Sequence, residues 1–118
     1  TDLSGGGVYL STNNGVSWTQ TALNNQNIIS LVVSGNNIFA VTGAVYLSTN
    51  NGVSWTQTAL NNQYVRSLAI SGNNIFAGTD NNGVFLSTNN GVSWTQTALN
   101  NRTVNALTVS GNNIFFFF

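Results

Sequence analysis

The charged side chains of this chain are few, and they limit the chemistry that it could perform. The sequence contains two basic residues, Arg66 and Arg102, two acidic residues, Asp2 and Asp80, and no Lys, Glu, His or Cys. Hydrolysis of a glycosidic bond usually requires two carboxyl groups about 5 to 10 Å apart, whereas Asp2 lies at the terminus and Asp80 in a predicted turn. Ser and Thr are abundant, but no His, Lys or suitably placed acid is available to activate them. The sequence therefore predicts a protein that is not an enzyme.

The composition also excludes several classes of partner. Only 3% of the residues are charged and the formal net charge is zero, so the chain lacks the positive surface that binds a phosphate backbone or an anionic membrane. Because Cys, His and Met are absent, it also lacks thiolate and imidazole ligands for a metal. No apolar run approaches the roughly 18 residues of a membrane span. We therefore expect no cofactor, no metal, no nucleic-acid partner and no membrane insertion.

The chain is built from repeats. A segment of identical sequence, STNNGVSWTQTALNN, begins at Ser11, Ser48 and Ser87, and a second motif, SGNNIF, begins at Ser34, Ser71 and Ser110. The tryptophans of the first segment are 37 and then 39 residues apart. A period of this length suits four short β-strands in each repeat.

One repeat shows how the strands are expected to form. Residues 45–48 and 53–56 alternate apolar and polar side chains, and Asn50-Asn51-Gly52 between them predicts a tight hairpin with left-handed backbone. Residues 65–71 and 75–79 read as two further strands joined by a turn at Gly72-Asn73-Asn74. Because helical periodicity is absent, the sequence predicts an all-β fold.

The first repeated segment resembles the Asp-box (BNR) repeats of sialidase-like and Vps10-like β-propellers, whose pattern is Ser-x-Asp-x-Gly-x-Thr-Trp. Two positions differ in every copy, where Asn replaces Asp and Ser replaces Thr, but an Asn carbonyl can still accept backbone hydrogen bonds in the turn. The resemblance implies that the box joins the third and fourth strands of a blade, away from any active site, and we expect its tryptophan to pack between blades. The matching structural residues are Ser11, Asn13, Gly15, Trp18, Ser48, Asn50, Gly52, Trp55, Ser87, Asn89, Gly91 and Trp94.

The same resemblance implies what a catalytic sialidase-like blade would need. It implies an arginine cluster, a tyrosine nucleophile beside a glutamate and an acidic proton donor, whereas this chain has no Glu and only two Arg. The chain is therefore expected to share the blades of that family without its catalytic residues.

Placing the box between the third and fourth strands divides the chain into blades of four antiparallel strands. Residues 1–118 form one repeat array of three blade equivalents: an outer half-blade at 7–20, whole blades at 21–57 and 58–96, and an inner half-blade at 97–118. Propellers typically close with four to eight blades, so we expect open strand edges that recruit partner strands. Three alternatives follow: two chains complete a six-bladed ring, the chain is part of a longer array, or units join into a filament.

The repeats differ from one another mainly in two connections. These lie before the innermost strand and between the second and third strands, and they are expected on the face opposite the box. Proteins often bind ligands through loops on a rigid scaffold, so the varied residues could contact a ligand. The alternative is neutral variation at exposed positions that tolerate many residue types. The candidate ligand-binding residues are Tyr64, Arg66, Asp80, Arg102 and Asn105, and Asn101 begins an N-glycosylation sequon.

Taken together, these features predict a non-enzymatic extracellular or cell-surface structural repeat protein. It is expected to assemble with copies of itself through β-strand edges into an oligomer or filament. The alternatives are a carbohydrate-binding, lectin-like propeller module with glycan partners, or a fragment of a larger Asp-box glycosidase. Phe115 aligns with Phe39 and Phe76, whereas residues 116–118 add three phenylalanines that would favour aggregation unless a neighbour buries them.

Overall fold

The structure is a computed structural model that describes residues 6–24, 27–60 and 63–117. Asp2, Asn61, Asn62 and Phe118, which entered the sequence predictions, lie outside the described residues. Within them the chain forms twelve strands and no helix, so no described helix is long and apolar enough to cross a membrane. The all-β class predicted from the repeats is confirmed.

The strands form two four-stranded sheets flanked by two strand pairs, all antiparallel. The first pair contains β1 (Tyr9–Leu10) and β2 (Thr19–Gln20), and the last contains β11 (Ala106–Ser110) and β12 (Asn113–Phe117). The first four-stranded sheet runs in the order β3 (Ser30–Ser34), β4 (Asn37–Val41), β5 (Val45–Ser48), β6 (Thr56–Gln57). The second runs in the order β7 (Val65–Ser71), β8 (Asn74–Thr79), β9 (Val84–Ser87), β10 (Thr95–Gln96). Neighbours in each sheet are therefore consecutive in the sequence, as in a meander.

The predicted tight hairpin is wrong in one respect. The strand expected at residues 53–56 is limited to β6, and residues 49–55 form a longer loop between β5 and β6. Val53, Ser54 and Trp55 alternate in polarity but do not form a strand. The backbone N–H groups of Gly52 and Ser54 donate to side chains of the same loop rather than to a neighbouring strand.

The main hydrophobic core lies between the two four-stranded sheets. Phe39, Val41 and Val45 of the first sheet pack with Leu68 and Ile75 of the second, and all five are almost entirely buried. A smaller core joins Val8 and Leu23, beside the first strand pair, to Ala40 of the first sheet. The first four-stranded sheet thus packs against a neighbouring unit on each face, and the second sheet buries one face against the first.

The innermost strands of successive units lie beside one another. β7 contacts β3 on one side and β11 on the other. The N–H of Leu107 donates to Oγ of Ser67 at 3.2 Å, and Oγ of Ser71 donates to the carbonyl of Gly111 at 3.4 Å. These bonds link the inner strands of neighbouring units, so the inner strands lie together on one side of the molecule.

Candidate functional site

The loop that joins β5 to β6 is held by its own side chains. Oγ of Ser48 accepts the N–H of Gly52 at 2.8 Å and donates to Oδ1 of Asn50 at 3.0 Å. Oδ1 of Asn50 also accepts the N–H of Ser54 at 3.0 Å, while its Nδ2 donates to Oγ of Ser54 at 2.8 Å. Asn51 and Gly52 have positive φ angles of 60° and 86°, which Asn and Gly tolerate best. The side-chain carbonyl of Asn50 therefore accepts a backbone hydrogen bond in the turn, as the sequence predicts.

The other two loops repeat this network with the same partners. Ser11, Asn13 and Gly15 form it in the first copy, and Ser87, Asn89 and Gly91 in the third. The copies differ in burial, because Ser48 and Ser87 are buried whereas Ser11 is only partly so. Local sequence therefore sets the hydrogen bonds, and the neighbouring unit sets the exposure to water.

The three tryptophans of the loops differ in the same way. Trp55 packs against the core that contains Val8 and Leu23, and Trp94 packs against the main core between the two sheets. Both therefore lie between units. Trp18, in contrast, is 62% exposed, so the packing expected for all three does not occur there. The reason is that the described chain has no unit on that side of β1 and β2.

The varied connections bring three candidate ligand-binding residues together. Nη2 of Arg66 lies 3.6 Å from Oδ2 of Asp80, and its guanidinium carbon lies 5.6 Å from the centroid of the Tyr64 ring. The N–H of Asp80 donates to the carbonyl of Tyr64 at 2.9 Å. Arg66 falls where the register of β7 shifts between Val65 and Ser67, and this irregularity places it at the end of the strand beside Asp80.

The Tyr64 ring also contacts the preceding unit. A Cβ atom at Gly43 would lie 3.2 Å from Cε2 of Tyr64, and Gly43 has a φ of 103°. The carbonyl of Gly43 accepts the N–H of Val65 at 2.7 Å. Tyr64 therefore lies against the turn at Gly43 and beside the guanidinium of Arg66, which connects the two units, while the residue remains 54% exposed.

The remaining candidates lie at the next joint. The carbonyl of Arg102 accepts the N–H of Gly83 at 2.8 Å, and the N–H of Asn105 donates to the carbonyl of Phe117 at 2.9 Å. Asn101, the sequon residue, is exposed. Oγ1 of Thr103 donates towards Oδ1 of Asp80 at 3.1 Å, so the hydroxyl of the sequon takes part in the joint. The main chain of Arg102 thus bonds to the preceding sheet, and the main chain of Asn105 bonds within the last strand pair.

Little acid–base or metal chemistry is available at these positions. Among the described residues, Asp80 is the only side chain with a carboxylate. It lies beside Arg66 rather than beside a second acid. No group of His, Cys, Asp or Glu within the described ranges could hold a metal ion. The arrangement can form hydrogen bonds and one partly exposed ion pair, and such pairs contribute little to stability.

Sequence reasoning missed a set of structural glutamines. Nε2 of Gln96 donates to the carbonyls of Asn82 and Asn100 at 2.8 and 3.2 Å, and Nε2 of Gln20 donates to those of Gly6 and Asn24 at 3.0 and 3.4 Å. Each glutamine ties the connection after the second strand to the connection after the fourth. Their occurrence at the same place in every repeat was the signal that could have identified them.

Two apolar surfaces remain uncovered. On β3, Leu31 and Val33 lie on the face turned away from the main core, here called the leading face, and they are 50% and 65% exposed. The trailing face of β12, defined by Phe115 and Phe117, is 55% and 62% exposed. Among the described residues, β1 pairs only with β2 and β12 only with β11, so each of these strands has an unpaired edge, as do the end strands of the two four-stranded sheets.

Comparison with known proteins identifies the architecture. The model of the DUF6242 beta propeller domain matches residues 4–112. The crystal structure of an ancestral GH74 enzyme is 28% identical, with a TM-score of 0.75, and the match covers 93% of this chain and 18% of that one. No curated protein matches the sequence.

Two further solved structures share the fold at lower identity. The computationally designed Ika4 protein is 13% identical with a TM-score of 0.67, and the match covers 83% of this chain and 64% of that one. YCF48, solved bound to a D1 peptide, is 22% identical with a TM-score of 0.60, covering 82% of this chain and 36% of that one. The chain therefore spans less than two thirds of these proteins. Together with the four-stranded antiparallel sheets, the matches establish the predicted β-propeller fold.

Proposed function

The chain belongs to the DUF6242 beta propeller domain family, and we propose that it is a non-enzymatic structural module. It assembles through the open edges of its sheets into an oligomer or filament, outside the cell or at its surface. The observation that carries this proposal is that β12 has an unpaired edge and exposed phenylalanine side chains on the same strand, while β1 has an unpaired edge and β3 exposes apolar side chains elsewhere on the described chain.

Stable proteins usually shorten, charge or cover an open strand edge, because it can pair with another chain. A strand edge presents N–H and C=O groups that another strand can pair with, and natural propellers remove or protect such edges by closing. Here the exposed rings of Phe115 and Phe117 lie next to one edge. Burying apolar surface contributes about 25 cal/mol per Å², so association is favoured by both hydrogen bonding and apolar burial.

The composition supports assembly as well. With 3% charged residues and zero formal net charge, little electrostatic repulsion opposes contact between copies. A non-enzymatic role is supported by the chemistry of the side chains, since Asp80 is paired with Arg66 and the sequence has no Glu or His. We also infer that the three loops are Asp-box-type loops, because their Ser and Asn side chains satisfy the turn in the way that motif implies.

The mass of the 118-residue polypeptide in dilute buffer tests the proposal. Light scattering over a hundredfold concentration range should show species heavier than the 12.5 kDa chain, with β-sheet circular dichroism throughout. Phe115→Glu places a charge on the apolar face and should shift the mass towards that of one chain. The matched control is Val16→Glu, at an exposed loop tip, which should leave the mass unchanged. A folded species of single-chain mass at every concentration would refute assembly.

A second candidate function has one specific observation in its favour. The ancestral GH74 enzyme is similar over 93% of this chain, but the match covers only 18% of that enzyme. The chain could thus serve as a run of blades within a larger propeller enzyme whose chemistry resides in other blades. The coding sequence on either side decides this candidate: further blades that carry Glu and Arg would support it, and their absence would remove it.

A further inference from the structure

We propose that the Asn-Gly pairs of this chain are sites of spontaneous deamidation, and that the segment packed on each glycine sets the rate. The sequence Asn-Asn-Gly-Val occurs four times, and the reactive asparagines are Asn14, Asn51, Asn82 and Asn90. Because the flanking residues are the same, the four pairs have the same local chemistry. The modification needs no enzyme and no partner, so the inference stands apart from the proposed assembly.

Deamidation at such a pair begins within the chain itself. The main-chain nitrogen of the glycine attacks the side-chain carbonyl carbon of the asparagine, and the new C–N bond closes a cyclic imide. The side-chain nitrogen leaves as ammonia and carries away the proton of the glycine N–H. Water then opens the imide at either carbonyl, which gives aspartate or isoaspartate. Because the two reacting atoms must first be brought into line, the rate depends on how freely the pair can move.

The glycines of the three loops are held by the same hydrogen bond. The N–H groups of Gly15, Gly52 and Gly91 each donate to Oγ of the serine that begins the loop, at 2.8 Å in all three copies. The amide must turn away from this serine before its nitrogen can reach the asparagine side chain. The bond is present in every copy, so by itself it slows the three loops equally.

The cover over the glycine differs between the loops. Gly52 is buried, and a Cβ atom on it would lie 3.0 Å from Cγ2 of Thr21, which follows β2. Gly91 is buried too, and a Cβ atom there would lie 3.2 Å from Cγ2 of Thr58, which follows β6. Gly15 is exposed, and among the described residues a Cβ atom on it would meet only its own loop. Any unit packed on that loop would protect it in the same way.

The fourth pair lies outside these loops and has a cover of its own. Gly83 is buried, and its N–H donates to the carbonyl of Arg102 at 2.8 Å. Nδ2 of Asn82 donates to Oε1 of Gln63 at 2.7 Å. Both the attacking nitrogen and the side chain that it would attack are therefore held, and the pair should react slowly.

The conversion would change the loop as well as its charge. Isoaspartate lengthens the main chain inside a turn whose hydrogen bonds connect residues only two to four positions apart. Either product adds a carboxylate to a chain with zero formal net charge and 3% charged residues. Loss of the neighbouring segment would thus be recorded as a permanent change in the chain.

Peptide mapping by mass spectrometry after incubation at neutral pH measures the conversion at each asparagine. In urea, where the covers are lost, the four pairs should react at one rate. In the folded 118-residue polypeptide, Asn51, Asn82 and Asn90 should react at least about tenfold more slowly than in urea, because a local opening must precede the attack.

Variants at Thr58 test the cover at a single loop. Thr58→Gly removes the side chain that lies on Gly91, so it should raise the rate at Asn90 at least about fivefold and leave Asn51 unchanged. The matched control Thr58→Val keeps a methyl group over the glycine, and Asn90 should remain slow. Acceleration at Asn51 as well would show that Thr58→Gly unfolds the chain, and the milder Thr58→Ala then decides, again with faster conversion expected at Asn90 alone.

Two results would overturn the inference. One is a rate at Asn90 that is the same in the unmodified protein, in Thr58→Gly and in Thr58→Ala, because the cover would then have no effect. The other is conversion of Asn51 and Asn90 in the folded protein as fast as in urea. Neither result bears on assembly, and a single-chain mass in light scattering would leave the rates expected here unchanged.

Discussion

Gly78 of β8 lies against Val104, so closely that a Cβ atom at residue 78 would stand 2.7 Å from Cγ1 of that valine. Gly78 does not have a positive φ, so the backbone conformation does not require glycine here. Glycine is required because a side chain would collide with Val104. At the joint between the first and second sheets, the equivalent residues are Val41 and Val65, and both are fully buried. At the later joint Gly78 takes the place of Val41, so the backbone of β8 comes closer to Val104. The spacing between units is therefore set by a few residues at each joint.

Gly78→Ala is expected to lower the free energy of unfolding by about 1–3 kcal/mol, because the added methyl group overpacks the joint. Urea denaturation measures the change. The double variant Gly78→Ala/Val104→Ala removes the clash, so it should be less destabilised than the sum of the two single variants. Simple additivity would show that the two residues do not press on each other.

Ser48→Ala is expected to cost about 1–3 kcal/mol of stability, because it leaves the buried N–H of Gly52 without its acceptor. The matched variant is Ser11→Ala, which removes the same bond to Gly15 in a loop that water can reach, and it should cost less. Thermal or urea unfolding of both proteins tests the difference. Equal losses would show that burial by the neighbouring unit does not matter.

Thr58→Val is expected to leave stability unchanged or raise it by up to about 1 kcal/mol. Oγ1 of Thr58 is buried and has no hydrogen-bond partner among the described residues, and an apolar group of the same shape avoids that penalty. In Thr21→Val, by comparison, the hydroxyl that accepts the N–H of Leu23 is lost, and stability should fall slightly. A clear loss in Thr58→Val would point to a partner for that hydroxyl in solution.

Arg66→Gln is expected to change stability by less than about 1 kcal/mol, since its ion pair with Asp80 is partly exposed. Urea unfolding measures this effect. Because Tyr64 is held by Gly43 as well as by Arg66, the ring should keep its place. On a glycan array, neither the unmodified protein nor this variant should bind. Glycan binding that is lost with Arg66→Gln would instead support a lectin-like role for this face.

Much of the fold could be predicted because it depends on local chemistry. The limits of β5 and β7 follow from alternation and turn residues, and both agree with the structure at Val45–Ser48 and Val65–Ser71. The loop at 49–55 could not be predicted as easily, because Val53 and Trp55 have strand-like alternation that the Ser and Asn side chains override. The joining of Tyr64, Arg66 and Asp80 likewise depended on the register shift in the pairing of β7 with β8, which alternation in the sequence does not reveal.

The sequence alone determined the repeat, most of the strand positions and the hydrogen bonds within each loop, because these depend on residues a few positions apart. Identical segments accordingly make the same bonds at Asn13, Asn50 and Asn89. Only the tertiary structure decided which copies are buried, since burial depends on the unit packed alongside. Trp18 and Trp55 share one local sequence, yet one is exposed and the other lies between units, because apolar side chains are buried only where a neighbouring surface removes them from water.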